Sequence, residues 1–423
     1  MNSVEIFAPT PAAAQARLAA VRPGDYARSR NAIHGAVTRL SPYITHGLLT
    51  LPEVLAGVAA RQALDPQHKL VFELGWREYF HHVWQHRGEA IFSSLHTGLQ
   101  PDAAYADDVP ADIREARTGV PVIDMAVRSL YANGYLHNHA RMWLASYCVH
   151  LRKIHWQVAA DWMYGHLLDG DLASNHLSWQ WVAATGSHKP YLFNADNVAR
   201  YAPPSWHSPG SVIDTSYEAL DEIARSPRSV GHDKAGPGIA EPALLRPADL
   251  PRFATAAPTA ALNGRDVWLV HPWALRAPPT GLPAGTLLVG VCLPEFHQRW
   301  RWSAARWDFV SQRMAELRAP CWLTDRPRLA QALFGARSVQ TFADPHLLGR
   351  LDGLAQCRPL PRLFAEVDRP CSSFSQWWTR SMRGVTRLRD LPGLATLSAG
   401  PLFEVGAVSS NGRDAAATPS FLS

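Results

Sequence analysis

The chain has 423 residues, of which 47% are hydrophobic and 18% are charged, so it can bury a core in two or three domains. It contains no long apolar run and no signal-like N-terminus, which argues against a membrane span or a secreted protein. The formal net charge is +5, but residues 1–225 carry 18 Lys and Arg against 21 Asp and Glu, so a nucleic-acid contact there must be a local patch.

The cysteines are scattered singly and form no CxxC pair, which argues against a zinc or iron–sulfur site built on cysteine. An odd number of isolated thiols is typical of a reducing compartment, so we expect a cytoplasmic protein. These residues are Cys148, Cys292, Cys321, Cys357 and Cys371.

Residues 1–225 are predicted to be helical, because apolar residues recur at steps of three and four. The segment "HKLVFELGWREYFHHVWQHRG" follows this pattern, and so does "VPVIDMAVRSLYANG", which ends at Asn133-Gly134. Asparagine followed by glycine is a typical helix stop.

Three further regions follow. Residues 226–262 are rich in Pro, Ala and Gly and are predicted to be a linker. In residues 263–385, "DVWLVHP", "TLLVGVCLPE", "PCWLTD" and "SVQTFAD" alternate with helical patterns, which predicts a small Rossmann-like domain with a parallel sheet. Residues 386–423 are predicted to be a flexible tail.

The segment "DGDLASNHLSWQW", from Asp169 to Trp181, concentrates acids, an amide and indoles. The simplest interpretation is that the two Trp are core residues and that Asp171 caps a helix. A glycosidase acid pair and a metal site at His82 and His86 are alternatives, and "HNH" at 137–139 is a weak nuclease pattern. The segment alone leaves these open.

Four segments occur in the order and spacing of one known family, over roughly residues 25–200. They are "TRLSPYITHG", "ELGWREYF", "TGVPVIDMAVRSLYANGYLHNHARM" and "DGDLASNHLSWQWVAATG". In these segments the chain resembles the photolyase/cryptochrome family. The resemblance implies an all-α FAD-binding domain at 1–225, with no metal.

The resemblance also implies which residues hold FAD. Hydroxyls and backbone N–H groups suit its pyrophosphate. Arg141 would pair with Asp169 beside the flavin ring, and Asn175 would face flavin N5. The full cofactor-binding set is Tyr26, Thr38, Arg39, Leu40, Ser41, Arg77, Asn138, Arg141, Asp169, Asp171 and Asn175.

For catalysis, the resemblance implies electron transfer through Trp179 and Trp156, with Asn175 and Glu73 at the reacting groups. The family's third Trp is missing, and Tyr105, Trp143 or Trp162 are candidates for its place. A flipped pyrimidine dimer needs apolar walls and an acid. The implied substrate residues are Arg30, Glu73, Trp76, Asn138, His139, Met142 and Trp181.

Glu73, Trp76 and Met142 favour a light-dependent enzyme that splits cyclobutane pyrimidine dimers in DNA with electrons from reduced FAD. The alternatives are a cryptochrome-like blue-light photoreceptor that signals through a partner and a light-independent flavoprotein. The α/β region resembles the family's antenna domain but follows the FAD domain, so we predict a swapped domain order. An antenna chromophore and the oligomeric state stay open.

Overall fold

We describe a computed structural model of the chain over residues 6–231, 237–251, 253, 259–319 and 321–397. The part up to residue 225 is helical, as predicted, and a five-stranded parallel sheet follows it. The α-helices are α1 Pro11–Ala20, α2 Pro23–Ser29, α3 Ser41–Thr45, α4 Leu51–Ala59, α5 Lys69–Arg87, α6 Ala111–Arg114, α7 Pro121–Asn133, α8 Asn138–Ser146, α9 Trp156–His166, α10 Leu172–Ala183, α11 Ala195–Tyr201, α12 Tyr217–Arg225, α13 Thr259–Leu262, α14 Pro294–Arg299, α15 Ala304–Glu316, α16 Arg326–Leu333, α17 Phe374–Ser381 and α18 Pro392–Leu397. The strands are β1 Leu244–Leu245, β2 Asp266–Val270, β3 Leu287–Cys292, β4 Trp302–Ser303, β5 Cys321–Leu323, β6 Ser338–Phe342 and β7 Gln356–Arg358. Short 3-10 helices lie at Gly88–Phe92, Asp102–Ala104, Pro204–Trp206, Pro247–Asp249, Pro345–Leu347 and Leu388–Asp390, and a π-helical turn at Tyr147–Leu151 continues α8.

Helix α7 ends where its sequence predicts. Gly134 has a φ of 60°, and its N–H donates to the carbonyl of Leu130. A left-handed residue after the last helical turn is the usual glycine stop, because glycine has no Cβ to oppose it. This stop turns the chain towards α8, which carries Arg141.

The five-stranded sheet has the order β5-β3-β2-β6-β7, and all its pairings are parallel. The four predicted strands coincide with β2, β3, β5 and β6. Strand β7 was not predicted, because its three residues are largely exposed and carry no apolar run. All five residues of β2, at the centre, are buried, as a strand covered on both faces requires.

The predicted linker is partly ordered. Strand β1 pairs antiparallel with β4, so this region is anchored to the α/β part of the chain. Of the predicted linker, residues 232–236, 252 and 254–258 lie outside the described residues.

The predicted flexible tail is wrong for its first part. Residues 388–397 form a 3-10 helix and α18, and Leu391 and Leu394 are buried. The backbone N–H of Gly393 donates to the carbonyl of Leu363, which ties this segment to the fold. Apolar burial at two positions is what fixes this part of the predicted tail. Residues 398–423 lie outside the described residues.

One hydrophobic core joins the helical part to the α/β region. The ring of Tyr43 lies 6.0 Å from that of Phe309 on α15, and His46 lies 5.1 Å from the same ring. The N–H of Leu275 donates to the carbonyl of His46. The α/β region is therefore packed against the segment that follows Ser41.

Candidate functional site

The loop at residues 167–172, here called the aspartate loop, joins α9 to α10 and carries Asp169 and Asp171. The Asp169 carboxylate is buried and accepts hydrogen bonds from Ser41 Oγ at 2.6 Å and from Arg141 Nη2 at 2.7 Å. Its second oxygen, Oδ1, has no partner among the described residues. The structure thus brings together Ser41, Arg141 and Asp169, which the sequence grouped in one site.

Asp171 has two functions in the fold. One oxygen accepts from the N–H of Ser174 at 2.8 Å and caps α10, as the simplest interpretation predicted. The other accepts from Arg77 at 3.2 Å and from His81 at 2.8 Å. Burial alone would raise the pKa of Asp171, but Arg77 and His81 hold it well below its usual value. The carboxylate therefore stays ionised.

His81 was missed by the sequence analysis, although a signal was available. It lies four residues after Arg77 on α5, so both side chains share one helix face. Both contact Asp171, which fixes that face towards the aspartate loop.

Asn175 lies one turn into α10 and is 2% exposed. Its Nδ2 donates to the carbonyl of Ala160 at 2.9 Å, while Oδ1 has no partner among the described residues. Leaving a buried polar oxygen unpaired is costly, so such atoms commonly face a ligand or water. Asp169 Oδ1 and Asn175 Oδ1 are two such atoms on the same short stretch of chain.

A small cavity lies beside Ser41. Five of its lining residues belong to the predicted site: Tyr26, Thr38, Leu40, Ser41 and Glu73. The remaining walls are apolar, which is the usual composition of a cofactor pocket. Arg39, between Thr38 and Leu40, adopts a left-handed φ of 51°.

The predicted electron relay consists of buried rings. Trp179 is fully buried and Trp156 is 3% exposed, and Trp156 Nε1 donates to Ser94 at 2.9 Å. The His155 ring lies 5.9 Å from that of Trp156 and 6.2 Å from that of Tyr105. Tyr105 is thus linked to Trp156 through one imidazole.

Trp143 and Trp162, the other candidates for the outer relay, have different neighbours. Trp143 packs 6.1 Å from Phe193, whereas Trp162 Nε1 donates to Glu241. No ring contact between either indole and Trp156 is found in the part of the chain that the structure describes.

Five of the predicted substrate residues make local contacts. Arg30 Nε donates to Glu73 Oε1 at 3.3 Å. Asn138 Nδ2 lies 3.5 Å from Met142 Sδ. His139 is buried, with its ring 5.4 Å from that of Tyr201.

Trp76 and Trp181, which the resemblance implies as substrate residues, have different neighbours in the structure. Trp76 is 7% exposed and stacks on Phe374 of α17, with ring centroids 4.0 Å apart and planes inclined by 13°. Trp181 packs in a different core, with its ring 5.9 Å from that of Tyr191. Helix α17 covers the Trp76 face of α5. Its Trp378 lies directly over Gly75, so a side chain at position 75 would clash with the indole.

The His82 and His86 rings lie 4.4 Å apart on α5. Within the described ranges, no group of three or more His, Cys, Asp or Glu residues could hold a metal ion.

Residues 70–205 match the family model described as the FAD binding domain of DNA photolyase. Within this chain, residues 70–205 are thus an FAD-binding domain of the photolyase/cryptochrome family. FAD is the cofactor of such a domain. The buried oxygens Asp169 Oδ1 and Asn175 Oδ1 have no partner among the described residues and could accept hydrogen bonds from FAD.

Photolyases and cryptochromes are both among the relatives. A deoxyribodipyrimidine photo-lyase of Thermus thermophilus is 36% identical over 230 residues, which cover 50% of this chain and 53% of the relative. One from Streptomyces griseus is 33% identical over 38% of this chain and 36% of its own length. A cryptochrome DASH of Idiomarina loihiensis is 28% identical and covers 47% of each chain. The chain therefore spans between about a third and a half of the length of these curated relatives.

A solved cryptochrome of Synechocystis is 28% identical, with a TM-score of 0.42 over 47% of this chain and 44% of its own. Among the described residues, no helix has the length and hydrophobicity needed to cross a bilayer.

Proposed function

We propose that this protein is a light-dependent DNA repair enzyme that splits cyclobutane pyrimidine dimers. The observation that carries the proposal is the shared cavity, in which Glu73, the expected dimer-contacting acid, faces the same space as Tyr26, Thr38 and Ser41. When bound, FAD supplies the electron that opens the dimer, and the protein supplies binding and electrostatics.

The residues around the aspartate loop would hold the cofactor. Arg141 and Ser41 fix the buried Asp169 carboxylate, which leaves Oδ1 available as an acceptor. Asn175 is oriented by its bond to Ala160, so that its carbonyl oxygen can meet a ring N–H. Both groups are buried and held by hydrogen bonds within the protein, which would lower the entropic cost of holding a large cofactor.

Glu73 would recognise the damaged base. Its carboxylate is 3% exposed and is held by Arg30, so it can accept hydrogen bonds from a pyrimidine N–H in a water-poor site. Hydrogen bonds to a charged acceptor are the stronger kind, which suits an extruded base that has lost its own pairing.

An electron would pass inwards from Tyr105 to Trp156, then to Trp179, and from there to oxidised FAD. The proximity of the His155 ring to both Trp156 and Tyr105 supports this order. The burial of the two indoles keeps water from trapping the charge.

The α/β region would be the family's antenna-type domain placed after the FAD domain. The parallel order β5-β3-β2-β6-β7 supports this. The chain adds β3 and β5 on one side of β2 and then β6 and β7 on the other side, as in doubly wound domains. No antenna pigment is assigned to it.

A cryptochrome-like photoreceptor is the second candidate, and the contact between Trp76 and Phe374 favours it. Repair requires a base to approach Trp76, so α17 must leave this face, whereas a photoreceptor needs no such movement.

The test is a repair assay with dimer-containing oligonucleotide, reduced FAD and blue light. We expect recovery of thymine absorbance with the native protein, loss with Glu73→Ala, and faster repair with Phe374→Ala. Native protein that binds FAD but restores no thymine absorbance, with Phe374→Ala equally inactive, would refute repair and favour the photoreceptor.

A further inference from the structure

The backbone of the aspartate loop is held both from the helical part of the chain and from the α/β region. Thr45 Oγ1 donates to the carbonyl of Asp169 at 3.1 Å. Two other contacts come from the α/β region, through Arg306 on α15 and His346 after β6. Neither residue lies within the segment that matches the FAD-domain model.

Arg306 forms hydrogen bonds with the backbone of the loop, one of them between its two aspartates. Nη2 donates to the carbonyl of Gly170 at 2.7 Å, and Nη1 donates to that of Leu167 at 3.4 Å. The approach is so close that a Cβ on Gly170 would stand 2.6 Å from Nη1, so a side chain there would displace the guanidinium. The guanidinium lies 3.9 Å above the ring of Trp302.

The Arg306 charge is fully buried, and among the described residues it forms no ion pair at contact distance. Burial lowers the pKa of Arg306 from its usual value, while Tyr164 and the carboxylates of Asp169 and Asp171 oppose that effect. A buried cation is expensive unless nearby negative charge compensates it. The aspartate loop provides that charge.

His346 fixes the start of α10. Its Nε2 accepts the N–H of Leu172 at 3.3 Å, and Nδ1 donates to Asp344 at 2.6 Å. The Asp344 contact therefore selects the tautomer that can accept from Leu172. The ring also stacks on Trp273, with centroids 4.7 Å apart.

We propose that Arg306 and His346 are positioning residues of the FAD site, through which the α/β region sets the geometry and positive potential behind Asp169 and Asp171. This inference rests on FAD binding and not on DNA repair. It assigns the α/β region a function in cofactor binding that needs no antenna pigment.

Two substitutions on the same helix provide the test. Arg306→Gln removes the buried charge beside the loop. Arg313→Gln is the matched control, because Arg313 is equally buried on α15 but donates to the carbonyl of Leu275 and to Glu316, away from the loop. FAD affinity is measured by fluorescence titration of apoprotein, and the flavin reduction potential is measured by dye equilibration, both without DNA.

For Arg306→Gln we expect roughly tenfold weaker FAD binding, the effect of losing a charge-assisted hydrogen bond. We also expect a shift of the potential to more negative values, since reduced flavin loses a nearby cation. Arg306→Lys should restore the potential more fully than the affinity. Arg313→Gln should lower thermal stability while leaving both readouts unchanged.

Equal changes in Arg306→Gln and Arg313→Gln, or unchanged affinity and potential in Arg306→Gln, would overturn the proposal. If Arg306→Gln does not fold, His346→Ala replaces it and should weaken FAD binding; unchanged binding there also overturns the proposal. Native protein that binds FAD but fails to repair DNA leaves this inference standing.

Discussion

The contact between α17 and the Trp76 face of α5 predicts how Phe374→Ala should behave. Phe374 is 5% exposed, stacks on Trp76 at 4.0 Å and meets the edge of Phe72 at 4.6 Å. Removing a buried phenylalanine costs about 3–5 kcal/mol in a rigid core, and each aromatic pair contributes about 0.5–1.5 kcal/mol of it.

Only part of the fold should respond to this loss. Helix α17 has eight residues and lies in the last part of the described chain, so it can leave α5 without unfolding the sheet. We use the lower figure, about 3 kcal/mol, for the shift in the equilibrium between α17 packed on α5 and α17 detached from it. This shift raises the detached population roughly 150-fold as long as that form stays in the minority.

Hydrogen exchange at residues 374–381 and anisotropy titration with dimer-containing oligonucleotide measure the two consequences. We expect faster exchange in Phe374→Ala and tighter binding of the damaged strand. Phe334→Ala is the matched control, because Phe334 is 93% exposed on the same part of the chain. Unchanged exchange in Phe374→Ala, or the same change in Phe334→Ala, would contradict the reasoning.

Three further predictions concern charge, electron flow and pH. Asp169→Asn removes the carboxylate charge that forms an ion pair with buried Arg141, so we expect a loss of about 3–5 kcal/mol in unfolding free energy together with loss of bound FAD, measured by denaturation and flavin absorbance. Tyr105→Phe should slow the blue-light reduction of oxidised FAD, followed at its visible absorbance, while repair by chemically reduced FAD stays unchanged; Tyr105→Trp should recover the rate. Burial lowers the pKa of His297 to about 3, so the unfolded state binds more protons between about pH 6.5 and 3, and stability falls as the pH drops through this window. Its share is about 1.4 kcal/mol per pH unit, and His297→Phe should flatten the acid limb of a stability–pH curve by that amount.

The sequence by itself determined the local structure around the site. Gly134 ends α7 and Asp171 caps α10 because each effect depends on residues within one helical turn. The buried strands β2 and β3 were recognisable for the same reason, since a strand covered on both faces needs a short apolar run. The resemblance of four segments to the photolyase/cryptochrome family also predicted FAD as the cofactor.

Only the tertiary structure decided which distant side chains meet. Arg306 and Gly170 are 136 residues apart, and no periodicity or motif links them. Phe374 reaches Trp76 from a segment that the sequence placed in another domain. Contacts of this kind depend on how whole elements pack. Burying an apolar side chain against any apolar partner of suitable shape is stabilising, wherever that partner lies along the chain.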